Sequence, residues 1–214
     1  YFDALGLYQL YSRAVAEGCQ ILGNTAILNS SNEGTFRGAL AATIHGGVLR
    51  NSLVAHNTIG SIYNNAHGVV VVTGGAVENC SIVSNACTTS VNGMAWHGLR
   101  RTGGTVVNTL IDGNYHPDGT VSNWSGTASA FTYCCTTPTE GLGAGCRTAT
   151  AGTWSFGADG RLRVRSLGPC YNGGTSLPWH AGAEDLYGNA RVYGNAVDIG
   201  CVESLGAGTH FFVR

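Results

Sequence analysis

A sequence repeat with a period of about 28 residues constrains the fold of this chain more than any other feature. Residues 46–57, 74–85 and 103–114 each begin with a Gly-Gly pair. Each copy then carries an asparagine four residues after the second glycine and another asparagine six residues further on. The copies are offset by 28 and 29 residues, and a weaker copy begins at Gly18. A fixed period of this length is typical of solenoids and other repeat folds.

The composition of each copy predicts which unit repeats. Short runs of valine, isoleucine, leucine and threonine are bounded by glycine and asparagine, which is typical of strands joined by tight turns. A β-sandwich needs a turn every 8–12 residues or so, a spacing much shorter than this period. The sequence therefore predicts an all-β fold: a right-handed parallel β-helix (solenoid) with coils of about 28 residues and a C-terminal capping segment.

One continuous domain is expected. Coils are predicted for residues 1–125, with repeats near 18–26, 46–58, 74–86 and 103–115, and closing coils with a C-terminal cap for residues 126–214.

Parallel stacking would place equivalent residues of successive coils about 4.8 Å apart. Asparagine suits such a stack because its amide both donates and accepts hydrogen bonds. Two ladders are predicted, one of Asn51, Asn79 and Asn108 and one of Asn24, Asn57, Asn85 and Asn114. Two apolar core columns are predicted as well, formed by Leu49, Val77 and Val106 and by Val54, Ile82 and Ile111. Arg50 shares a column with Glu78, which predicts an outward ion pair.

Composition indicates the compartment and excludes some partners. The formal net charge is −1 and the chain has no lysine, so nucleic acid is not expected as a partner. No apolar run is long enough to span a membrane. Eight cysteines in 214 residues favour an oxidising, extracellular or cell-surface location. No signal peptide is visible after Tyr1, so an export signal is expected to have been removed.

Four cysteines are disulfide candidates: Cys134, Cys135, Cys146 and Cys170. A bond between the adjacent Cys134 and Cys135 would be strained, so each is expected to pair with Cys146 or Cys170. The sequence leaves open which pairs with which.

One column combines residues that can bind a metal. Glu33, His67 and His97 each precede a glycine at the equivalent point of successive coils. Stacked about 4.8 Å apart, they would lie within range of a shared divalent metal ion. The alternative is a polar turn before a glycine, without a ligand. No other cofactor is expected.

The case for an enzyme is weaker. The aligned repeats contain no column of carboxylates, and Asp112 stands alone in its column, so no catalytic residue is assigned. Asp185, Asp198 and Arg191 are interpreted as turn and cap residues rather than an acid pair with a basic partner. The four tryptophans can stack on sugar rings, although closing an apolar core is their commoner role. They are Trp96, Trp124, Trp154 and Trp179.

The C-terminal part carries two motifs with a family resemblance. Residues 185–191 read Asp-Leu-Tyr-Gly-Asn-Ala-Arg and residues 197–203 read Val-Asp-Ile-Gly-Cys-Val-Glu. With the preceding Gly-Pro-Cys at 168–170, they resemble the end of bacterial right-handed β-helix proteins of the choice-of-anchor Q type, which carry repeats like those of polymorphic outer-membrane proteins. This chain departs from the pattern at Tyr187, Ala190, Cys201 and Val202. The resemblance implies a secreted β-helix and carries over no active site.

Two functions follow as hypotheses. The first is a non-catalytic extracellular structural or surface protein, an adhesin-like module or a self-assembling filament subunit. Its partner would be another copy, stacked end to end through terminal coils, because a solenoid has open strand edges at both ends. The apolar runs at 1–11 and 210–213 are candidate contacts. The alternative is a carbohydrate-binding or polysaccharide-degrading β-helix protein of lyase or hydrolase type.

Overall fold

The computed structural model describes residues 7–26, 39–59, 68–88 and 96–206. These parts of the chain contain nineteen short strands and two 3₁₀ helices, Ala128–Ala130 and Pro178–His180. No helix in them is long and apolar enough to cross a membrane. The described chain is all-β, and three of its four sheets are parallel, an arrangement consistent with a β-solenoid.

Sheet 1 has eight strands: β1 (Leu7–Leu10), β2 (Val15–Glu17), β5 (Ala39–Ile44), β6 (Val48–Arg50), β9 (Gly68–Glu78), β12 (Leu99–Val107), β14 (Trp124–Ser125) and β15 (Phe131–Thr132). Sheet 2 has six, in the order β17 (Arg147–Thr148), β16 (Cys135–Thr136), β13 (Leu110–Asp112), β10 (Ser81–Val83), β7 (Leu53–Ala55) and β3 (Gln20–Leu22). Sheet 3 has three, β11 (Ala86–Cys87), β8 (Thr58–Ile59) and β4 (Thr25–Ala26). An antiparallel hairpin of β18 (Trp154–Phe156) and β19 (Leu162–Val164) completes the set.

The strand register is the one that the repeat predicts. In sheet 2, Ile82 is the partner of Val54 on one side and of Ile111 on the other. In sheet 1, Val77 is the partner of Leu49 and of Val106. All six side chains are fully buried in one apolar cluster, so both predicted core columns are confirmed.

Two columns of left-handed backbone mark the corners at either end of the sheet 2 strands. The first column has φ between 45° and 72° at Gly18, Asn51, Asn79, Asn108, Tyr133 and Gly145. The second has φ between 57° and 65° at Gly23, His56, Ser84 and Gly113. Glycine and asparagine tolerate this conformation best, which explains why they recur at these places in the repeat.

A column of small polar side chains follows the first corner. Each hydroxyl or thiol donates a hydrogen bond to the carbonyl oxygen two residues earlier. The donors are Cys19 at 3.7 Å, Ser52 at 2.7 Å, Cys80 at 3.4 Å, Thr109 at 2.9 Å and Cys134 at 3.4 Å. Cysteine is therefore used here interchangeably with serine and threonine, as a small group that closes a local turn.

An asparagine side-chain ladder runs through the second corner. Asn24, Asn57 and Asn85 each donate from Nδ2 to Oδ1 of the next asparagine, at 2.9 Å in every case. Asn114 continues the ladder by donating to Asn123 at 3.2 Å. Each of the three asparagines Asn57, Asn85 and Asn114 also donates to two backbone carbonyls. The ladder thus satisfies buried backbone groups where the sheets end.

The other three asparagines form a different structure. Asn108 donates to Asn79 at 3.2 Å, but Asn51 Nδ2 donates to the backbone oxygen of Glu184 and Asn79 Nδ2 to that of Asp198. Asn51 and Asn79 therefore bind a later part of the chain, and Asn79 also binds Asn108.

That later part, residues 150–206, is named the docked segment. It lies along the side of the repeats, over the outer face of sheet 2. A second apolar cluster joins Leu53, Ala55, Val83, Leu110 and Cys135 of sheet 2 to Leu162, Val164, Cys170, Ile199, Cys201 and Val202 of the docked segment. The central strands β7 and β10 of sheet 2 are therefore buried on both faces, which explains why they are mostly apolar, whereas the edge strands β3 and β17 carry exposed residues.

Candidate functional site

The metal-column residues fall partly outside the structure's described range. Glu33 and His67 lie among the residues that are not described, so the structure does not test the column. His97 is half-buried, and its Nδ1 lies 2.9 Å from the hydroxyl oxygen of Ser122. Within the described residues, no group of three or more histidines, cysteines and carboxylates is placed to hold a metal ion. The metal site stays a prediction.

The hydrogen bond between His97 and Ser122 runs in the direction opposite to the one that would activate the serine as a nucleophile. The hydroxyl of Ser122 donates to the backbone oxygen of Trp96, and Ser122 is buried. Its proton is therefore engaged away from His97, and the imidazole N–H is the donor in the 2.9 Å contact. The contact fixes the histidine ring beside a buried strand end.

Four charged side chains of the docked segment converge beneath its surface: Asp185, Arg191, Asp198 and Glu203 are all buried. Arg191 donates to the backbone oxygens of Asp198 and Gly200 at 2.9 and 2.7 Å and lies 3.1 Å from Glu203 Oε1. Its other guanidinium nitrogen donates to Asn51 Oδ1 at 3.4 Å. One arginine thereby joins the docked segment to the first corner column.

The carboxylates of this cluster bind backbone amides. Asp185 accepts from the N–H groups of Tyr187, Asn189 and Glu203 at 2.8–2.9 Å. Asp198 accepts from the N–H groups of Asn172 and Ser204 at 2.7 and 2.6 Å. Such bonds hold loops in shape and leave the carboxylates no access to a substrate.

Burial shifts the titration of this region. Burial raises the pKa of Glu203 to about 8, and it outweighs the opposing attraction of Arg191. The pKa of Asp198 is raised for the same reason. Burial lowers the pKa of His180 to about 4, with further contributions from Arg191 and Arg50. The His180 ring accepts from the N–H of Leu177 at 3.0 Å, so its other nitrogen donates to Asn79 Oδ1 at 2.9 Å, which fits a neutral imidazole.

An open cleft of about 350 Å³ lies where the hairpin meets the end of sheet 2. Its walls include Asp112, Tyr115, Val121, Thr150 and Trp154. Trp154 Nε1 donates to Asp112 Oδ2 at 2.8 Å, and Asn123 Nδ2 donates to Asp112 Oδ1 at 3.3 Å. The Tyr115 ring is 43% exposed. An oriented carboxylate, hydroxyls and exposed aromatic surface are the groups that a polyhydroxylated ligand requires.

A second cleft, of about 320 Å³, lies on the outer side of the hairpin and is lined by charged side chains. Arg163 pairs with Asp159 at 2.8 Å, and both side chains are about half exposed. The Arg161 guanidinium lies 5.0 Å from the centre of the Tyr187 ring. These contacts satisfy the charges within the protein.

The tryptophans divide between core and surface roles. Trp96 is fully buried, and Trp124 packs against Phe131 at 5.1 Å between ring centres. Trp179 donates to Glu78 at 2.8 Å and lies under the Arg50 guanidinium at 4.7 Å. Arg50 itself forms an ion pair with Glu17 at 2.8 Å, whereas the sequence predicted Glu78. Trp154 is the tryptophan that lines the cleft at Asp112.

The four disulfide candidates lie in two neighbourhoods and are free thiols in the structure. Cys134 lies beside Cys146, whose sulfur is 3.4 Å from the Cys134 backbone nitrogen. Cys135 and Cys170 are both buried in the second apolar cluster.

Sequence reasoning missed the cleft at Asp112. Asp112 and Trp154 are 42 residues apart, and the hairpin that carries Trp154 lies outside the repeat, so no periodic signal joins them. Asn123 was also missed, because it follows Asn114 by nine residues instead of a full period. The only available signal was Asp112 itself, a carboxylate in a column otherwise occupied by Ala55 and Val83.

Comparison of the chain with protein-family models, with curated proteins and with solved structures finds no match.

Proposed function

We propose that this chain is a non-catalytic structural protein of the extracellular surface, built as a right-handed parallel β-helix of the choice-of-anchor Q and polymorphic outer-membrane-protein-repeat type. It serves as an adhesin-like module or as a filament subunit that stacks end to end. Eight cysteines and low charge support an extracellular location.

The observation that carries this proposal is that the four buried charged side chains of the docked segment all form structural hydrogen bonds. Asp185, Asp198 and Glu203 bind backbone N–H groups, and Arg191 binds backbone oxygens and Asn51. The carboxylates hold the docked segment in its own shape, and Arg191 joins it to the repeats at Asn51. Buried charges that are all used in structural hydrogen bonds favour a rigid scaffold over a catalytic site.

Self-association is supported by the edge of the first repeat. Among the described strands, β3 pairs with β7 alone. Leu53 N–H donates to the oxygen of Cys19 at 2.9 Å, so Cys19 and Ile21 face β7. Because backbone direction alternates along a strand, the Gln20 N–H faces outward, where a strand of a second copy can add. Repetition of such a contact builds a fibre.

Electron microscopy and light scattering of the unreduced protein test this function. Gln20→Pro removes the outward N–H and leaves the bonds to β7 in place, whereas the control Gln20→Ser keeps that N–H. We expect fibres from the wild type and from Gln20→Ser and loss of fibres in Gln20→Pro. A wild type that stays monomeric at all concentrations, or a Gln20→Pro variant that assembles normally, contradicts the filament proposal.

A second candidate function, polysaccharide binding, is favoured by the cleft at Asp112. Affinity electrophoresis in gels containing neutral or uronate polysaccharides tests it. Tyr115→Ser removes an aromatic wall of the cleft, and Tyr193→Ser is the control, because both tyrosines are 43% exposed. We expect retardation of the wild type and the control and its loss in Tyr115→Ser. Equal mobility of all three contradicts binding at this cleft, and release of soluble oligosaccharide would identify a degrading enzyme instead.

A further inference from the structure

The positions of four cysteines carry an inference that goes beyond the proposed function and depends on neither of its candidates. Strands β16 and β17 pair in parallel, with Cys135 opposite Arg147 and Thr136 opposite Thr148. Cys134 and Cys146 immediately precede the first of these pairs. They are therefore stacked neighbours, at a spacing of about 4.8 Å. Disulfides form across Cα separations of roughly 4.4–6.8 Å.

Cys134 and Cys146 are also in contact. The backbone N–H of Cys134 points to the Cys146 sulfur at 3.4 Å. Both thiols donate to backbone oxygens of strand β15, Cys134 to Thr132 at 3.4 Å and Cys146 to Phe131 at 3.3 Å. The adjacent Cys134 side chain lowers the pKa of Cys146 to about 7, whereas burial raises the pKa of Cys134. Cys146 is the half-exposed member of the pair and can react first.

Cys135 points to the opposite face, because successive side chains of a strand alternate. It lies in the second apolar cluster, between sheet 2 and the docked segment, together with Cys170. The oxygen of Cys170 accepts from the N–H of Ile199 at 2.9 Å, which holds Cys170 in place. The neighbouring Cys135 side chain, together with burial, raises the pKa of Cys170.

We propose that Cys134 pairs with Cys146 and Cys135 with Cys170 in two disulfides, formed by exchange with a small disulfide oxidant of the glutathione class. The alternation of Cys134 and Cys135 between the two faces of β16 separates each pair from the other. The vicinal pair and both crossed pairs are excluded by the same geometry.

The exchange is balanced in atoms and electrons. The Cys146 thiolate attacks one sulfur of the oxidant, whose S–S bond breaks and releases one thiolate. The Cys134 thiol then loses its proton and attacks the Cys146 sulfur, displacing a second thiolate, which takes up a proton. The two cysteines lose two electrons, and the oxidant becomes two thiols. The second pair forms by the same steps while the docked segment is still opening and closing over sheet 2, since both of its sulfurs are buried when docked.

The experiment removes the cysteines two at a time, because no protease can separate the adjacent Cys134 and Cys135. Two matched double variants, Cys134→Ser/Cys146→Ser and Cys135→Ser/Cys170→Ser, each leave one proposed pair intact. Two crossed variants, Cys134→Ser/Cys170→Ser and Cys135→Ser/Cys146→Ser, contain the same four substitutions but leave one cysteine of each pair. All four are equilibrated with oxidised and reduced glutathione, alkylated, digested and analysed by mass spectrometry.

We expect each matched variant to lose two hydrogen masses and to give one cross-linked peptide pair, between Cys135 and Cys170 or between Cys134 and Cys146. The crossed variants should keep both remaining thiols, since these point to opposite faces. Cross-linking in the crossed variants, or thiols that stay alkylatable in the matched variants, overturns the assignment. If a variant fails to fold, partial reduction of the wild type decides: a pairing other than the two proposed overturns the inference.

Discussion

Replacement of Asn85 by alanine should destabilise the protein far more than the same change at Asn24, although both belong to one ladder. Asn85 is fully buried, and its Oδ1 accepts from both the backbone N–H and the side-chain N–H of Asn57. Its Nδ2 donates to Asn114 and to two backbone oxygens at 2.9–3.1 Å. Asn24, at the half-buried end, donates to Asn57 only, from its backbone at 3.0 Å and from its side chain at 2.9 Å.

The size of the effect follows from the groups left without partners. In Asn85→Ala, the buried backbone N–H of Asn57 loses its acceptor, at a cost of about 1–3 kcal/mol. The space of the deleted amide adds about 1 kcal/mol. The total loss in the free energy of unfolding is therefore about 2–4 kcal/mol. In Asn24→Ala the backbone N–H still donates to Asn57, so one partly exposed hydrogen bond is lost, worth about 0.5–1 kcal/mol.

Equilibrium urea unfolding in reducing buffer, followed by circular dichroism and by tryptophan fluorescence, measures both variants. Agreement of the two probes checks that unfolding is cooperative, which a repeat protein does not guarantee. The reasoning fails if Asn85→Ala and Asn24→Ala differ by less than about 1 kcal/mol, because the interior of the ladder would then not depend on its side-chain hydrogen bonds.

Three further outcomes are expected. Gly113→Ala should lower the free energy of unfolding in urea by over about 1 kcal/mol more than Gly119→Ala. Both glycines have positive φ, but only at Gly113 would the new Cβ lie 2.9 Å from the Trp154 ring. Equal losses in the two variants would contradict this contact. The free energy of unfolding of the wild type, relative to that of Glu203→Gln, should fall as pH rises from 6.5 to 8, by at most about 1.4 kcal/mol per pH unit, because burial raises the pKa of Glu203 from 4.5 to about 8 and the folded state keeps a proton that the unfolded chain has released. His180 changes stability in the opposite direction, but only between its lowered pKa of about 4 and 6.5. The difference between the wild type and Glu203→Gln above pH 6.5 therefore isolates the Glu203 contribution. Parallel pH curves of the two proteins would refute this contribution. In oxidising buffer, loss of Cys135–Cys170 should cost about 4 kcal/mol and loss of Cys134–Cys146 about 3 kcal/mol, because the longer loop restricts the unfolded chain more; the reverse order in urea unfolding would contradict the pairing.

The sequence predicts the parallel strands of the repeats well, because every copy of the repeat has the same residue spacing. Strand register, the two core columns and the rungs from Asn57 to Asn114 all depend on local spacing that repeats every 28 or 29 residues. The docked segment could not be predicted in the same way. Its contacts with Asn51 and Asn79 join residues 133 and 119 positions apart and occur once each, so they leave no periodic trace.

The first asparagine column shows where pattern alone is insufficient. Asn51, Asn79 and Asn108 recur with the same spacing as the other ladder, and the sequence predicts the same role for both. Their positive φ values supply a second reason for asparagine at these positions. Once the backbone requirement is met, the amides are available for other partners, and they bind Glu184, Asp198 and Thr175 of the docked segment.

The asparagine ladder also restores the register between successive coils, although the segments that join them differ in length. Successive rungs from Asn24 to Asn123 are separated by 33, 28, 29 and 9 residues, yet each amide meets the next within 3.2 Å. The number of residues between two rungs can therefore vary without changing the register of the strands that follow. A peptide inserted into the exposed turn at Gly119, between the rungs Asn114 and Asn123, should accordingly leave the pairing of the later strands unchanged.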